Sequence, residues 1–314
     1  MKTLILVRVV VAMFISFVLI PFVTCGQVFV ANFGGNSITE FDSSGNATTF
    51  ASGGLLNGPS ALAFDGSGNL YVANYYNNNI VKYTPAGVGS VYASAGLNNP
   101  IGLAFDGSGN LFAVNSADTN LVAQAGGTII KFNSIAQGLL YASGLSHPYS
   151  VAFDNNGNLY VSENTANAIE KYGPNGQGTV FASSGGLLNN PNLNGPWGLA
   201  FSGGNIYVAN YTDNSIGEFN ASGFGTIFAS SGLDHPAGLA FDGLGNLFVA
   251  NYGNNTIEMF NSSGVGSVFA TSGLNDPIAI AIAASPVPEP TSWVLFVMGA
   301  AVLCSFCGSK KQVS

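Results

Sequence analysis

The sequence predicts an all-β fold, a six-bladed β-propeller with four strands per blade. A C-terminal strand closes it, and an N-terminal signal peptide and a C-terminal transmembrane helix flank it. Three observations carry this prediction. One fifteen-residue phrase recurs, as ALAFDGSGNLYVANY at 61–75, GLAFDGSGNLFAVNS at 102–116 and GLAFDGLGNLFVANY at 238–252. The proline ahead of the phrase recurs at Pro59, Pro100, Pro148, Pro196, Pro236 and Pro277, with spacings of 41, 48, 48, 40 and 41. A period near 40 with β punctuation is that of propeller blades. Finally, each unit holds four short apolar runs bounded by Gly, Asn and Pro, the signature of strands and tight turns.

Residues 1–26 have a basic start (Lys2, Arg8), an apolar run and a close of small residues, the pattern of a secretory signal peptide. The alternative reading is an uncleaved membrane anchor. The propeller follows over 27–285. Of 314 residues only 7% are charged and the net charge is −8. Of the seven basic residues only Lys82, Lys131 and Lys171 lie within 27–286. Binding to nucleic acid rests on cationic contacts to phosphate, so so few cations exclude DNA and RNA as partners. Cys25, Cys304 and Cys307 all sit in or beside the apolar ends, so no disulfide framework is expected between them.

In the second unit the four runs are a (Ala61–Phe64), b (Leu70–Ala73), c (Ile80–Tyr83) and d (Ser90–Ala93). The a–b connection, DGSGN, is a turn: the Asp side chain caps its own backbone and Gly accepts positive φ. Asp65, Asp106, Asp154 and Asp242 are thereby read as turn residues rather than a metal or acid set, with Ser202 filling the same place in the fifth unit. Run a alternates small and large residues, as in Gly198-Leu199-Ala200-Phe201. Successive strand residues point to opposite faces, so each strand a has one small and one large face, suited to radial packing of blades. Run b first occurs at Val28–Ala31, whereas the last run a starts at Ile278. The C-terminal strand must therefore complete the first blade and leave no open edge.

The repeated P-x-G-L-A-F-D-x-x-G-N-L-Y/F-V-A-N phrase, followed by I-x-K/E-Y/F, resembles the NHL repeat over about residues 27–284. The resemblance implies a six-bladed propeller. It implies no single activity: some members bind RNA through a basic face, which this chain lacks, and others are lyases or lactonases with a metal or a His at the axis.

The d–a and b–c loops share one face of the predicted disc, and two of them are expanded, at 115–127 and 183–195. Variable loops on a rigid scaffold are where binding resides. Strand b ends in Asn32, Asn74, Asn115, Glu163, Asn210 and Asn251, five amides and one carboxylate on this face. Amides both donate and accept, which suits neutral polar ligands, although they can equally cap the b–c loop. The two histidines, His147 and His235, precede repeat prolines on the same face. These eight are the candidate ligand-binding residues. No Ser-His-Asp, Cys-His or HExxH arrangement and no phosphate loop is visible, and no cofactor, metal ligand or catalytic residue is assigned.

Residues 286–314 carry Pro288-Glu289-Pro290, an apolar run from Trp293 to Cys307, and Lys310-Lys311. That run is about 22 Å long as a helix, short against a hydrocarbon core of about 30 Å. The three-part order resembles the bacterial PEP-CTERM sorting signal. The resemblance implies an exosortase-type peptidase and the inner membrane as transient partners, with processing near the motif; a plain anchor is the alternative. The expected function is that of an exported, surface- or matrix-associated module binding a polar ligand, polysaccharide or protein. The alternative is a propeller lyase or lactonase acting on a small polar substrate, with Glu163 and a histidine as acid and base.

Overall fold

The computed structural model describes residues 26–116, 126–174, 176–184 and 193–283. The signal-peptide segment, the tail with Pro288, Glu289 and Pro290, and much of both expanded loops lie outside the described residues. Among the described residues no helix is long and apolar enough to cross a membrane.

Six four-stranded antiparallel sheets make six blades. Blade 1 holds β1 (Val28–Asn32), β2 (Ser37–Phe41) and β3 (Ala47–Ser52), and blade 2 holds β4 (Pro59–Phe64), β5 (Leu70–Asn74), β6 (Asn79–Tyr83) and β7 (Gly89–Ala93). Blade 3 holds β8 (Pro100–Phe105), β9 (Leu111–Asn115), β10 (Gly127–Phe132) and β11 (Gly138–Leu145). Blade 4 holds β12 (Pro148–Phe153), β13 (Leu159–Glu163), β14 (Ala168–Tyr172) and β15 (Gly178–Ser183). Blade 5 holds β16 (Pro196–Ser202), β17 (Asn205–Asn210), β18 (Ser215–Phe219) and β19 (Gly225–Ala229). Blade 6 holds β20 (Pro236–Phe241), β21 (Leu247–Asn251), β22 (Thr256–Phe260) and β23 (Gly266–Ala270), after which β24 (Pro277–Ile282) follows. β24 pairs with β1 in the register Val28↔Ile282 to Ala31↔Ala279, so the last strand completes the first blade as the repeat count requires.

The alternation on strand a has a steric cause. A Cβ built on Gly198 would lie 2.1 Å from the Ala237 carbonyl oxygen, and one on Gly238 would lie 2.7 Å from the Ala279 Cα. The small positions are those where neighbouring inner strands touch backbone to side chain. The large positions feed an aromatic cluster between blades. The aromatic of strand b meets that of strand d in its own blade and that of strand a in the next. Tyr71 meets Tyr92 at 4.9 Å and Phe105 at 5.0 Å, and Tyr207 meets Phe228 at 5.1 Å and Phe241 at 4.8 Å, all edge to face. Such pairs contribute about 0.5–1.5 kcal/mol each beyond their buried area. Blade 6 packs on blade 1 with Ile282 in place of the third ring.

The a–b turns are held by their aspartates. Asp65 Oδ1 accepts from the backbone of Ser67 (2.9 Å) and Asn69 (2.9 Å), and Gly68 has φ +76°. Asp106, Asp154 and Asp242 do the same. Blade 5 departs from the expectation that Ser202 fills the aspartate's place. Ser202 pairs with Asn205 across a two-residue turn, Gly203-Gly204, with φ +59° and +85°. That is the geometry of a type I′ hairpin, which needs no side-chain cap.

Candidate functional site

The six inner strands enclose an axial channel of about 190 Å³. At its mouth, on the face of the d–a and b–c loops, the residue after each repeat proline lines the channel: Ser60, Ile101, Tyr149, Trp197, Ala237 and Ile278. The large rings gather on one side. Trp197 is stacked between Tyr149 (4.4 Å, 16°) and Tyr211 (4.2 Å, 18°). Tyr211 directly follows the strand-b residue Asn210, and Tyr252 holds the same place one blade on, 6.2 Å from Tyr211. A second cluster, Phe33, Tyr75 and the exposed Tyr76, sits over blades 1 and 2 at 5.2–5.9 Å. Burial, then the phenols of Tyr75 and Tyr211, raise the Tyr149 pKa above its usual value. Tyr149 is thus a neutral hydrogen-bonding group at neutral pH.

The strand-b residues stand behind this rim. Asn32, Asn74, Asn115, Asn210 and Asn251 are 0–4% exposed. Asn74 Oδ1 accepts from Asn57 N (3.1 Å), and its Nδ2 donates to Leu55 O (3.0 Å) and Asn79 Oδ1 (2.9 Å). Asn32, Asn115 and Asn251 repeat both halves of this arrangement, and Asn210 accepts from Asn194 N. The amides therefore tie the incoming d–a loop to strand b as well as capping the b–c loop. Glu163, also buried, reproduces the acceptor half alone, taking Ser146 N at 2.9 Å. Burial raises its pKa, the Ser146 amide opposes this, and Glu170 adds to it.

The histidine position has a backbone explanation. Gly58, Asn99, His147, Gly195, His235 and Asp276 all have φ between +46° and +61°. Each carbonyl accepts from the residue after strand b, as His147 O does from Asn164 N (3.1 Å). Among the described residues no hydrogen bond joins His147 to Glu163. His235 instead meets Asp234, Nδ1 to Oδ1 at 2.8 Å, beside the Tyr211 ring at 4.7 Å. Gly253 makes room for this pair, since a Cβ there would lie 2.4 Å from Asp234 Oδ1. With Nδ1 engaged by a carboxylate, Nε2 is the ring nitrogen outside that bond.

Two features of this face escape the sequence reading. The aromatic stack is one, although each member sits at a fixed place, after the repeat proline or after the strand-b asparagine. The other is a ring of clasps between blades. Asn36, Asn78, Asn167, Asn214 and Asn255 adopt φ of +46° to +57° before strand c. Each Oδ1 accepts the backbone N–H of the left-handed residue one blade on, at 2.6–2.7 Å. The signal was an N-x-I triplet; blade 3, with its expanded b–c loop, has Gly127 there instead.

No family model matches this chain, and no curated protein matches it in sequence. Solved propellers do resemble it. The nidogen/laminin complex matches at 19% identity over 82% of this chain and 98% of that one, with a TM-score of 0.69. Virginiamycin B lyase from Staphylococcus aureus matches at 19% over 82% and 85%, TM-score 0.60. A gluconolactonase from Xanthomonas campestris matches at 17% over 67% and 75%, TM-score 0.55. At these identities the likeness establishes the fold alone, a six-bladed propeller. Among the described residues no group of three or more His, Cys, Asp or Glu is placed to hold a metal ion.

Proposed function

We propose that this chain is an exported binding module whose propeller takes a polar ligand, polysaccharide or protein, at the channel mouth. The observation that carries the reading is the Tyr149–Trp197–Tyr211 stack over the axial channel. Half-buried rings with polar tips bury apolar area while keeping directed hydrogen bonds, the combination that a concave site for a neutral polar ligand needs. One solved neighbour of the fold is a complex of nidogen and laminin, which supports a protein ligand. The strand-b amides and Glu163 support the site from behind, with His147 and His235 on its loops. Glycan-array and pull-down binding to the full chain test this. Tyr149→Ala or Tyr211→Ala should weaken binding about ten-fold or more, and Ser67→Tyr with Ser108→Tyr on the opposite turns should leave it unchanged. The reverse pattern overturns the reading.

In the same proposal residues 1–26 direct export, and 286–314 anchor the chain until an exosortase-type peptidase processes it near Pro288-Glu289-Pro290 at the inner membrane. Intact mass of the mature protein from its host tests this part: a chain ending at Ser314 refutes it.

A second reading is a lyase or lactonase. The Asp234–His235 pair beside Tyr211 favours it, because a histidine oriented by a carboxylate is the usual form of a general base. The fold's solved neighbours also include two such enzymes. Turnover of a small lactone that His235→Ala abolishes would establish this reading over simple binding.

A further inference from the structure

The face opposite the mouth is built from near-copies of one turn, and blade 5 breaks the pattern. Four residues, Ser202–Asn205, join Phe201 to Ile206, where five, Asp65–Asn69, join Phe64 to Leu70. The shorter turn carries no carboxylate. Beside it, between blades 4 and 5, lies a cleft of about 370 Å³. Phe181, Phe201 and Phe219 line it, with Asp154, Asn156 and Lys171 among its polar groups.

Lys171 differs from the two other lysines of the propeller. Lys82 and Lys131 lie 3.5 Å and 3.4 Å from the aspartates of their own blades' turns. The corresponding Asp154 feels the charge of Lys171 from beyond ion-pair distance, and it takes the Tyr160 hydroxyl as well as the donors of its own turn. Its Oδ1 accepts from Asn156 N (2.9 Å) and Asn158 N (2.8 Å), and its Oδ2 from Asn158 Nδ2 (2.7 Å) and Tyr160 Oη (3.3 Å). Lys171 Nζ sits over the Tyr160 ring, 5.2 Å from its centroid. Among the described residues no carboxylate lies within the 4.0 Å of an ion pair with it. The next blade's turn, which carries Asp106 after blade 2 and Asp154 after blade 3, has Ser202, two glycines and Asn205 after blade 4, and no carboxylate.

We propose that this cleft binds a small carboxylate with an aromatic or branched apolar body. The carboxylate would pair with Lys171, and the body would lie against Phe181 and Phe201. An apolar cleft with a few directed polar groups is the general form of a small-molecule site, and its volume falls in the usual range. A cation partly lifted from water by an aromatic ring, with no carboxylate within 4.0 Å of it, gains from an incoming anion that approaches more closely than Asp154 does. The site is separate from the channel mouth and does not depend on the reading given to that face.

The test is an amide NMR titration of the full chain with phenylacetate, with phenethylamine as the charge-reversed control. Saturable shifts are expected at Gly203, Gly204 and Asn156 and none at Trp197 and Tyr211. Lys171→Gln should weaken phenylacetate about five-fold or more, while Lys171→Arg retains it. Should Lys171→Gln not fold, Ala221→Trp at the cleft wall, with the lysine in place, should abolish the shifts. Equal shifts from phenethylamine, shifts confined to the mouth, no shifts at about 20 mM phenylacetate, or an unchanged affinity in Lys171→Gln would each overturn the proposal.

Discussion

Replacing Asn74 with Ala separates the scaffold role of the strand-b amides from any role in ligand contact. Asn74 is fully buried and makes three hydrogen bonds, from Asn57 N and to Leu55 O and Asn79 Oδ1. A net 0.5–1.5 kcal/mol for each bond gives a loss of about 2–4 kcal/mol, the upper end applying if Asn57 N is left without water. For a domain of this size that corresponds to a fall in Tm of roughly 5–12 °C. Asn74→Asp keeps the acceptor and, protonated at low pH, one donor in place of the two that Nδ2 supplies, so it should fall between wild type and Asn74→Ala there. Urea unfolding of the full chain with an exposed control, Ser67→Ala, reads the difference; the control should stay within about 0.5 kcal/mol. A loss for Asn74→Ala no larger than the control's would refute the assignment of these amides to the d–a loops.

Deleting 277–283 together with the tail should abolish cooperative unfolding, because β1 loses its partner from Val28 to Asn32 and both it and blade 6 are left open; a sharp transition like the parent's would refute closure by β24. Gly198→Val should cost more than about 3 kcal/mol or prevent folding, since even a Cβ would lie 2.1 Å from the Ala237 carbonyl; a variant with parental Tm would show that neighbouring inner strands do not touch there. Burial raises the Glu163 pKa above its ordinary 4.5 in the folded state. The folded chain therefore holds that proton more tightly than the unfolded chain, and the group's contribution is most favourable below 4.5 and is lost as pH rises through the folded value. The Tm of wild type minus that of Glu163→Gln, followed from pH 4 upward, should fall across that window; a flat or rising difference would show that Glu163 is not desolvated.

The repeat, the turn chemistry and the order of the runs were enough to determine the propeller, its six blades and its closure. Each is a local or periodic property: Asp65 caps the five-residue turn Asp65–Asn69 with its own side chain, and the alternation in Gly198–Phe201 follows from the two faces of any strand. The blade 5 turn was legible only in part. Gly203-Gly204 marks a hairpin, but that Ser202 belongs to the strand depends on its pairing with Asn205.

The site was harder to read, because its meaning lies in contacts between blades. The same Asn at the end of strand b could face a ligand or hold a loop, and only the position of Asn57 N, 17 residues away in sequence, decides that its oxygen is engaged. Tyr149, Trp197 and Tyr211 lie on two blades, and nothing in the 47 residues between Tyr149 and Trp197 marks those two as stacked. His147 and His235 were equivalent candidates in the sequence, whereas the bond of His235 to Asp234 is a property of the assembled loop. Local sequence fixes what repeats every blade, since each copy meets the same neighbours. What differs between blades is decided by the one packing partner each residue finds after the ring has closed, and that partner is set by tertiary structure alone.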